Sequence, residues 1–190
     1  MLVKYQRQRN ILLDLAVTLD GFIEGPKGEV DWCIMDSDMD FNNFLNQIDT
    51  ILYGRKSYDL WGQYKPDTKV SDTEKEIWGL VQSKEKYVFS KTQKKSEDNV
   101  TFINENIEEE IIKLKNKPGK DIWLFGGASL IITLINLGLV DEFRLSVHPI
   151  ILGEGKPLFI DIKHRVNLKL VETKRFSSGV VQLCYQLNEK

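Results

Sequence analysis

The segment Asp121-Ile122-Trp123-Leu124-Phe125-Gly126-Gly127-Ala128-Ser129-Leu130 decides the fold. Residues 122–125 form an unbroken apolar run, the pattern of a strand buried on both faces. Two glycines follow, where the chain can turn without a Cβ in the way. Beyond them Leu130, Ile131, Leu134 and Ile135 recur at the spacing of one helical face, and Gly138 is placed to end that helix. A strand that passes through glycine into a helix is the repeating unit of a parallel α/β sheet.

A second junction of this kind lies upstream at Tyr53-Gly54-Arg55-Lys56-Ser57, after the β-rich run 50–53. Before it, residues 11–17 read as a buried strand ending at the Asp20-Gly21 turn. Ser37 and Asp40 suit a capping box ahead of a helix through Phe41, Phe44, Leu45 and Ile48. Ser71 or Asp72 caps a further helix carrying Ile77, Trp78 and Val81, and Asn106 with Glu109 opens another that stops at Pro118-Gly119. Short strands fall at 86–89 and 100–103. After Glu142 every signal is β: 143–147, 149–152, 168–173, and a last strand in which Val181, Leu183, Tyr185 and Leu187 alternate with polar positions. Interleaved strands and helices followed by a β-rich tail predict one α/β domain over residues 1–190, with a mixed central sheet and helices on both faces.

The bulk composition excludes several classes of function. With 26 Lys+Arg against 28 Asp+Glu the formal charge is -2, without the basic excess of a nucleic-acid or anionic-membrane binder. The apolar run after the N-terminus is short and interrupted by Asp14 and Asp20, so neither a signal peptide nor a membrane span is expected, and the protein reads as cytoplasmic. Cys33 and Cys184 lack paired spacing and read as buried free thiols, and His148 and His164 stand far apart, so no metal site is expected.

The two glycine junctions carry the chemistry. Helix N-termini offer unpaired N–H groups and the positive end of the helix dipole, and glycine allows a phosphate to come close. Two junctions suit the two ends of a dinucleotide. Arg55 and Lys56 at the first, with Ser90 and Lys91 after the next strand, form a basic cluster fitted to a terminal phosphate such as the 2′-phosphate of NADPH. Glycine at a strand-helix turn also serves turn geometry alone, so phosphate binding and a plain turn both stay open at this point. Gly153-Glu154-Gly155 lacks a third glycine and no Walker lysine motif exists, which disfavours Rossmann and P-loop enzymes.

Three blocks in order, Leu15-Ala16-Val17-Thr18-Leu19-Asp20-Gly21-Phe22-Ile23, Gly54-Arg55-Lys56-Ser57-Tyr58 and Gly126-Gly127-Ala128-Ser129-Leu130, resemble the dihydrofolate-reductase-like superfamily. The closer resemblance is to the branch of the C-terminal reductase domain of bifunctional riboflavin biosynthesis enzymes. It implies a three-layer sandwich that binds NADPH and passes a hydride to a small heterocycle, pterin-like or flavin-precursor-like. By the same resemblance Ala16, Asp20, Gly21 and Ile23 border the nicotinamide, and Gly54, Arg55, Lys56, Ser57, Ser90 and Lys91 hold the adenosine side. Gly126, Gly127, Ala128, Ser129 and Leu130 cradle the pyrophosphate, with a cis peptide between the two glycines. Trp32, Phe44, Tyr53 and Trp61 gather around the substrate. Alignment on Trp32 puts Ser37 where these reductases hold a carboxylate, so Asp36 and Asp38 on either side are the candidate proton donors; helix capping suits them equally. Such relatives imply a homodimer. A non-catalytic NADPH- or nucleotide-binding sensor is the alternative, and a flavodoxin-like phosphate binder is disfavoured by the β-rich tail.

Overall fold

The computed structural model describes residues 7–65, 70–92, 96 and 98–188. The chain runs β1 (Ile11–Thr18), β2 (Phe22–Glu24), a short 3-10 turn (Ser37–Met39), α1 (Phe41–Gln47) and β3 (Ile48–Gly54). Next come α2 (Arg55–Ser57) running into a π-turn (Tyr58–Gly62), α3 (Asp72–Gln82), β4 (Glu85–Phe89), β5 (Val100–Ile103) and α4 (Ile107–Lys115). The last part is β6 (Asp121–Gly126), α5 (Ala128–Asn136), β7 (Glu142–His148), β8 (Lys156–Pro157), β9 (Leu168–Arg175) and β10 (Val181–Leu187).

Eight strands form one sheet in the order β5-β4-β3-β6-β1-β7-β10-β9. The six on the β5 side are parallel, and β10 and β9 join antiparallel, as the interleaved helices and the β-rich tail predict. Helices α4 and α5 close one face over Ile11, Leu13, Leu52, Ile122 and Leu124. On the other face α1 and α3 cover Leu12, Ile51, Tyr53 and Trp123. This is a three-layer α/β sandwich, as the sequence predicts.

Local chemistry explains most boundaries and corrects a few. Ser71 caps α3 as expected, accepting the Glu74 amide at 3.2 Å. The capping box before α1 does not form: Asp40 adopts φ 48, and its side chain caps nothing. Ile48 leaves α1 and opens β3, where it is fully buried. The expected strand at 149–152 is absent, because the Leu152 and Gly153 amides go to the Asp20 carboxylate and Leu19 donates to the Ile150 carbonyl.

Candidate active site

Parallel strands bring their C-terminal ends to one edge of the sheet, and there the two glycine junctions meet. Strands β3 and β6 are neighbours, with Tyr53 in register with Gly126. A Cβ on Gly54 would stand 3.2 Å from Gly127 Cα, and one on Gly127 would stand 3.0 Å from Gly54 Cα. Only glycine allows this approach, which leaves bare backbone on both sides. Ser57 Oγ lies beside it, 3.5 Å from where a Gly127 Cβ would be. The Gly126–Gly127 peptide is trans, against the cis bond implied by the resemblance; positive φ at both residues, 151° and 96°, makes the turn instead. Leu130 and Ile131 donate the first intrahelical bonds of α5, to the Gly127 carbonyl, so the Ala128 and Ser129 amides lead the helix at this edge.

The basic side is partly committed. Arg55 Nε donates to Asp59 Oδ2 at 2.7 Å, and its guanidinium lies 5.8 Å from the Phe102 ring centroid. Arg55 Nη1 is buried without a hydrogen-bond partner among the described residues. Lys56 and Lys91 are exposed. Register between Gly54 and Phe89 brings Ser90 and Lys91 to the same edge as Arg55, with Ser90 Oγ 3.1 Å from Thr92 Oγ1.

On the β1 side, Ala16 lies opposite Ser146 of β7, on the face it shares with Leu12, Asp14 and Thr18. Asp20 is a clasp: its carboxylate accepts from Thr18 Oγ1 at 2.6 Å, Gly153 N at 2.8 Å and Leu152 N at 3.3 Å. The Thr18 hydroxyl leads the causes that hold its pKa below the usual carboxylate range. Gly21 takes φ 88 in the turn that leads to Ile23 on β2. Trp32 stands edge-on to His148, with ring centroids 5.3 Å apart. His148 Nε2 accepts the Ile34 amide at 3.0 Å, which fixes the proton on Nδ1, facing the Ser146 carbonyl at 2.9 Å. His148 is therefore structural.

Phe44 and Tyr53 form part of an aromatic floor within the core. Phe44 packs edge-on to Trp123 at 5.2 Å, and Tyr53 lies 4.8 Å from Phe125. Trp61 stacks with Trp78, 6.0 Å away. Tyr53 is wholly buried, burial raises its pKa, and its hydroxyl has no partner. Trp32 Nε1 and Asn42 Oδ1 are likewise buried and unpartnered. Among the described residues these atoms and Arg55 Nη1 are the buried side-chain polar atoms left unsatisfied; Tyr53 and Arg55 stand at the β3–α2 junction, Asn42 is in the first turn of α1, and Trp32 lies in a loop against His148.

The candidate proton donors lie at the same edge, where β10 opens beside the end of β7. Asp36 accepts the Ser178 amide at 3.0 Å and Asp38 the Ser177 amide at 3.1 Å, which ties the loop before α1 to the β9–β10 turn. Sequence reading passed over Asp14, where an acid interrupts an apolar strand. Burial pushes its pKa up to about 7, against the Arg144 cation and with the Glu142 carboxylate.

Residues 9–182 match the RibD C-terminal domain family. The chain belongs to that family. It is 71% identical over 182 residues to the uncharacterized protein YyaP of Bacillus subtilis, covering 96% of this chain and 97% of YyaP. Among solved structures, a putative riboflavin biosynthesis protein from Shewanella sp. PV-4 superposes with a TM-score of 0.76 at 22% identity, over 95% of this chain and 99% of that one. Dihydrofolate reductase from Enterococcus faecalis, complexed with NADP(H), gives a TM-score of 0.65 at 18% identity, over 96% and 98% of the two chains. The RibD C-terminal family and these neighbours share a reductase fold. No helix among the described residues is long and apolar enough to cross a membrane.

Proposed function

We propose that the open edge binds NADPH and that the protein passes its hydride to a small planar heterocycle of pterin or flavin-precursor type. The approach of Gly54 to Gly127 carries this reading: it clears two neighbouring strand ends of side chains, beside a helix N-terminus and a buried Arg55 Nη1 that lacks a partner. A phosphate oxygen would satisfy that nitrogen, and Lys56, Ser90 and Lys91 lie along the same edge for the rest of the phosphate. Gly126, Gly127 and the Ala128 and Ser129 amides would take the pyrophosphate, with Leu130 packed behind them. Ala16, Gly21 and Ile23 would border the nicotinamide, with the Asp20 clasp fixing their loop. Bound here, NADPH supplies the hydride, and the protein supplies orientation and exclusion of water. The unpartnered Trp32, Asn42 and Tyr53 atoms offer hydrogen bonds to a flat polar ring over the aromatic floor. The RibD C-terminal fold and the NADP(H) named for the reductase neighbour support the assignment.

The test is direct. NADPH should quench the fluorescence of the four tryptophans and raise the melting temperature, and Arg55→Ala should weaken both effects. Absence of quench and of thermal shift at large excess would sink the reading. The commitment of Asp36 and Asp38 to the β9–β10 turn favours, as a second reading, a nucleotide-binding sensor without turnover. NADPH binding without oxidation across a panel of heterocycles would support that alternative. We expect a homodimer, with β9 exposed along Leu170 and Val171 as available surface, and light scattering tests it.

A further inference from the structure

We infer that Asp14 delivers the proton that accompanies hydride transfer. The inference rests on the NADPH reading above and concerns a residue which that reading leaves unused.

Asp14 is on the same face of β1 as Ala16, two residues before it, so the strand rise separates them by roughly 7 Å. The Asp14 carbonyl is held by Trp123 Nε1 at 2.9 Å, which fixes the backbone against the aromatic floor. Of the carboxylates around the edge, Asp20 accepts three hydrogen bonds, Asp36 and Asp38 each accept a hairpin amide, and Asp31 and Asp40 are exposed to water. Asp14 has no side-chain hydrogen bond or ion pair among the described residues. Its partner in register, Arg144, is taken by Glu142 and by Gln47 Oε1 at 3.2 Å, and its guanidinium covers the Phe44 ring at 5.5 Å. The charged and titratable groups facing Asp14 are Arg144 and Glu142 on β7, Cys184 on β10, and Glu172 and Lys174 on β9. Several of them line an adjoining cavity of about 450 Å³. Asp14 keeps part of its surface open while dense packing raises its pKa, the combination a general acid at neutral pH requires.

The electrophilic carbon of a substrate C=O or C=N bond accepts the hydride from NADPH, and the bond's π pair moves to the heteroatom. The heteroatom takes the proton of the Asp14 carboxylic acid. The products are the reduced substrate, NADP⁺ and an Asp14 carboxylate, which recovers its proton from water through the open side.

Two probes separate this role from a structural one. Isatin, a flat heterocyclic ketone, needs a proton on oxygen after hydride addition; the N-methyl-3,4-dihydroisoquinolinium cation accepts hydride and needs none. In the full-length protein with NADPH, Asp14→Asn should lower kcat on isatin about 100-fold and leave the iminium rate unchanged. Carboxyl ¹³C NMR of the cofactor-free protein should find Asp14 titrating near neutrality, and Glu142→Gln should move that titration, and the fall of the isatin rate with rising pH, to lower pH. Equal losses on both probes, an isatin rate that Asp14→Asn does not change, turnover of neither probe by a wild type that binds NADPH, or Asp14 titrating as an ordinary carboxylate would each overturn the inference. Failure to bind NADPH would instead remove the reading beneath it.

Discussion

The two ends of the parallel strands are built on opposite terms. At the N-terminal ends the buried charges among the described residues are answered. Arg9, almost wholly buried, reaches Asp49, the Lys120 carbonyl and Thr50, while Lys120 N returns to Asp49 at 2.8 Å. Buried Lys115 donates to both oxygens of Asp141, which also accepts the Ile11 amide at 2.7 Å. Asp121 takes the Asn10 amide at 2.9 Å. At the C-terminal ends the glycines strip side chains away, and Trp32, Asn42, Tyr53 and Arg55 keep buried polar atoms without partners. A satisfied end stabilises the sheet, and an unsatisfied end is fitted for a ligand.

The sharpest way to break this contrast is at the satisfied end. Asp141→Ala strands the Lys115 ammonium and the Ile11 amide, and losing one member of a buried pair costs about 3 kcal/mol or more. Urea unfolding should show that loss, while NADPH quenching survives in the folded fraction.

Asp14 tests the open end through pH. Its folded pKa of about 7 lies above the unfolded value of 3.8, so the folded state holds the proton more tightly. Its contribution to stability is full below pH 4 and is lost as the pH rises to about 7. At about 1.4 kcal/mol per pKa unit the change approaches roughly 4 kcal/mol. Asp14→Asn removes it, so the variant should gain on the wild type across that window in urea titrations. A constant difference between the two at all pH values would contradict the burial argument.

A third comparison uses two glycines at opposite ends of α5. Gly127 has φ 96 and stands against Gly54; Gly138 has φ 67 and open space around its missing Cβ. Alanine at either position forces a left-handed residue and costs about 1–3 kcal/mol. Calorimetry should find both variants destabilised, and only Gly127→Ala should lose NADPH quenching.

The parallel half of the fold was legible because its apolar runs stand between glycines, as in 122–127, and each run is short enough to be one strand. Ile48 misled because its spacing from Phe44 and Leu45 continues the helix, yet it is fully buried in β3 as well. Residues 149–152 look like a strand in apolar content, but Ile151 is 69% exposed and the amides just beyond are claimed by Asp20, a contact 132 residues away in sequence. Asp36 and Asp38 showed the same limit, since the hairpin turn that claims their carboxylates lies 142 and 139 residues along the chain. Asp14 was visible as a lone acid in an apolar strand. Its isolation depends on Glu142 taking Arg144, and only the strand register reveals that.

The smallest expected effect belongs to the clasp that carries the open end. The Asp20 carboxylate joins the β1–β2 turn to the Leu152–Gly153 loop while exposed to water, and its hydrogen bonds hold its pKa below the usual carboxylate range. A depressed folded pKa gives stability that is present above the unfolded value, near 4, and lost as the pH falls through the folded one. Asp20→Asn keeps an oxygen for one amide and removes the charge, so it should flatten the fall of melting temperature below about pH 4 and scarcely move it at neutral pH. Because the clasp fixes the loop carrying Gly21 and Ile23, the same variant should weaken NADPH quenching modestly. Unchanged quenching together with a flattened acid limb would show that Asp20 serves the fold alone, and would place the boundary between the stabilising and ligand-binding parts of the sheet beyond the β1–β2 turn.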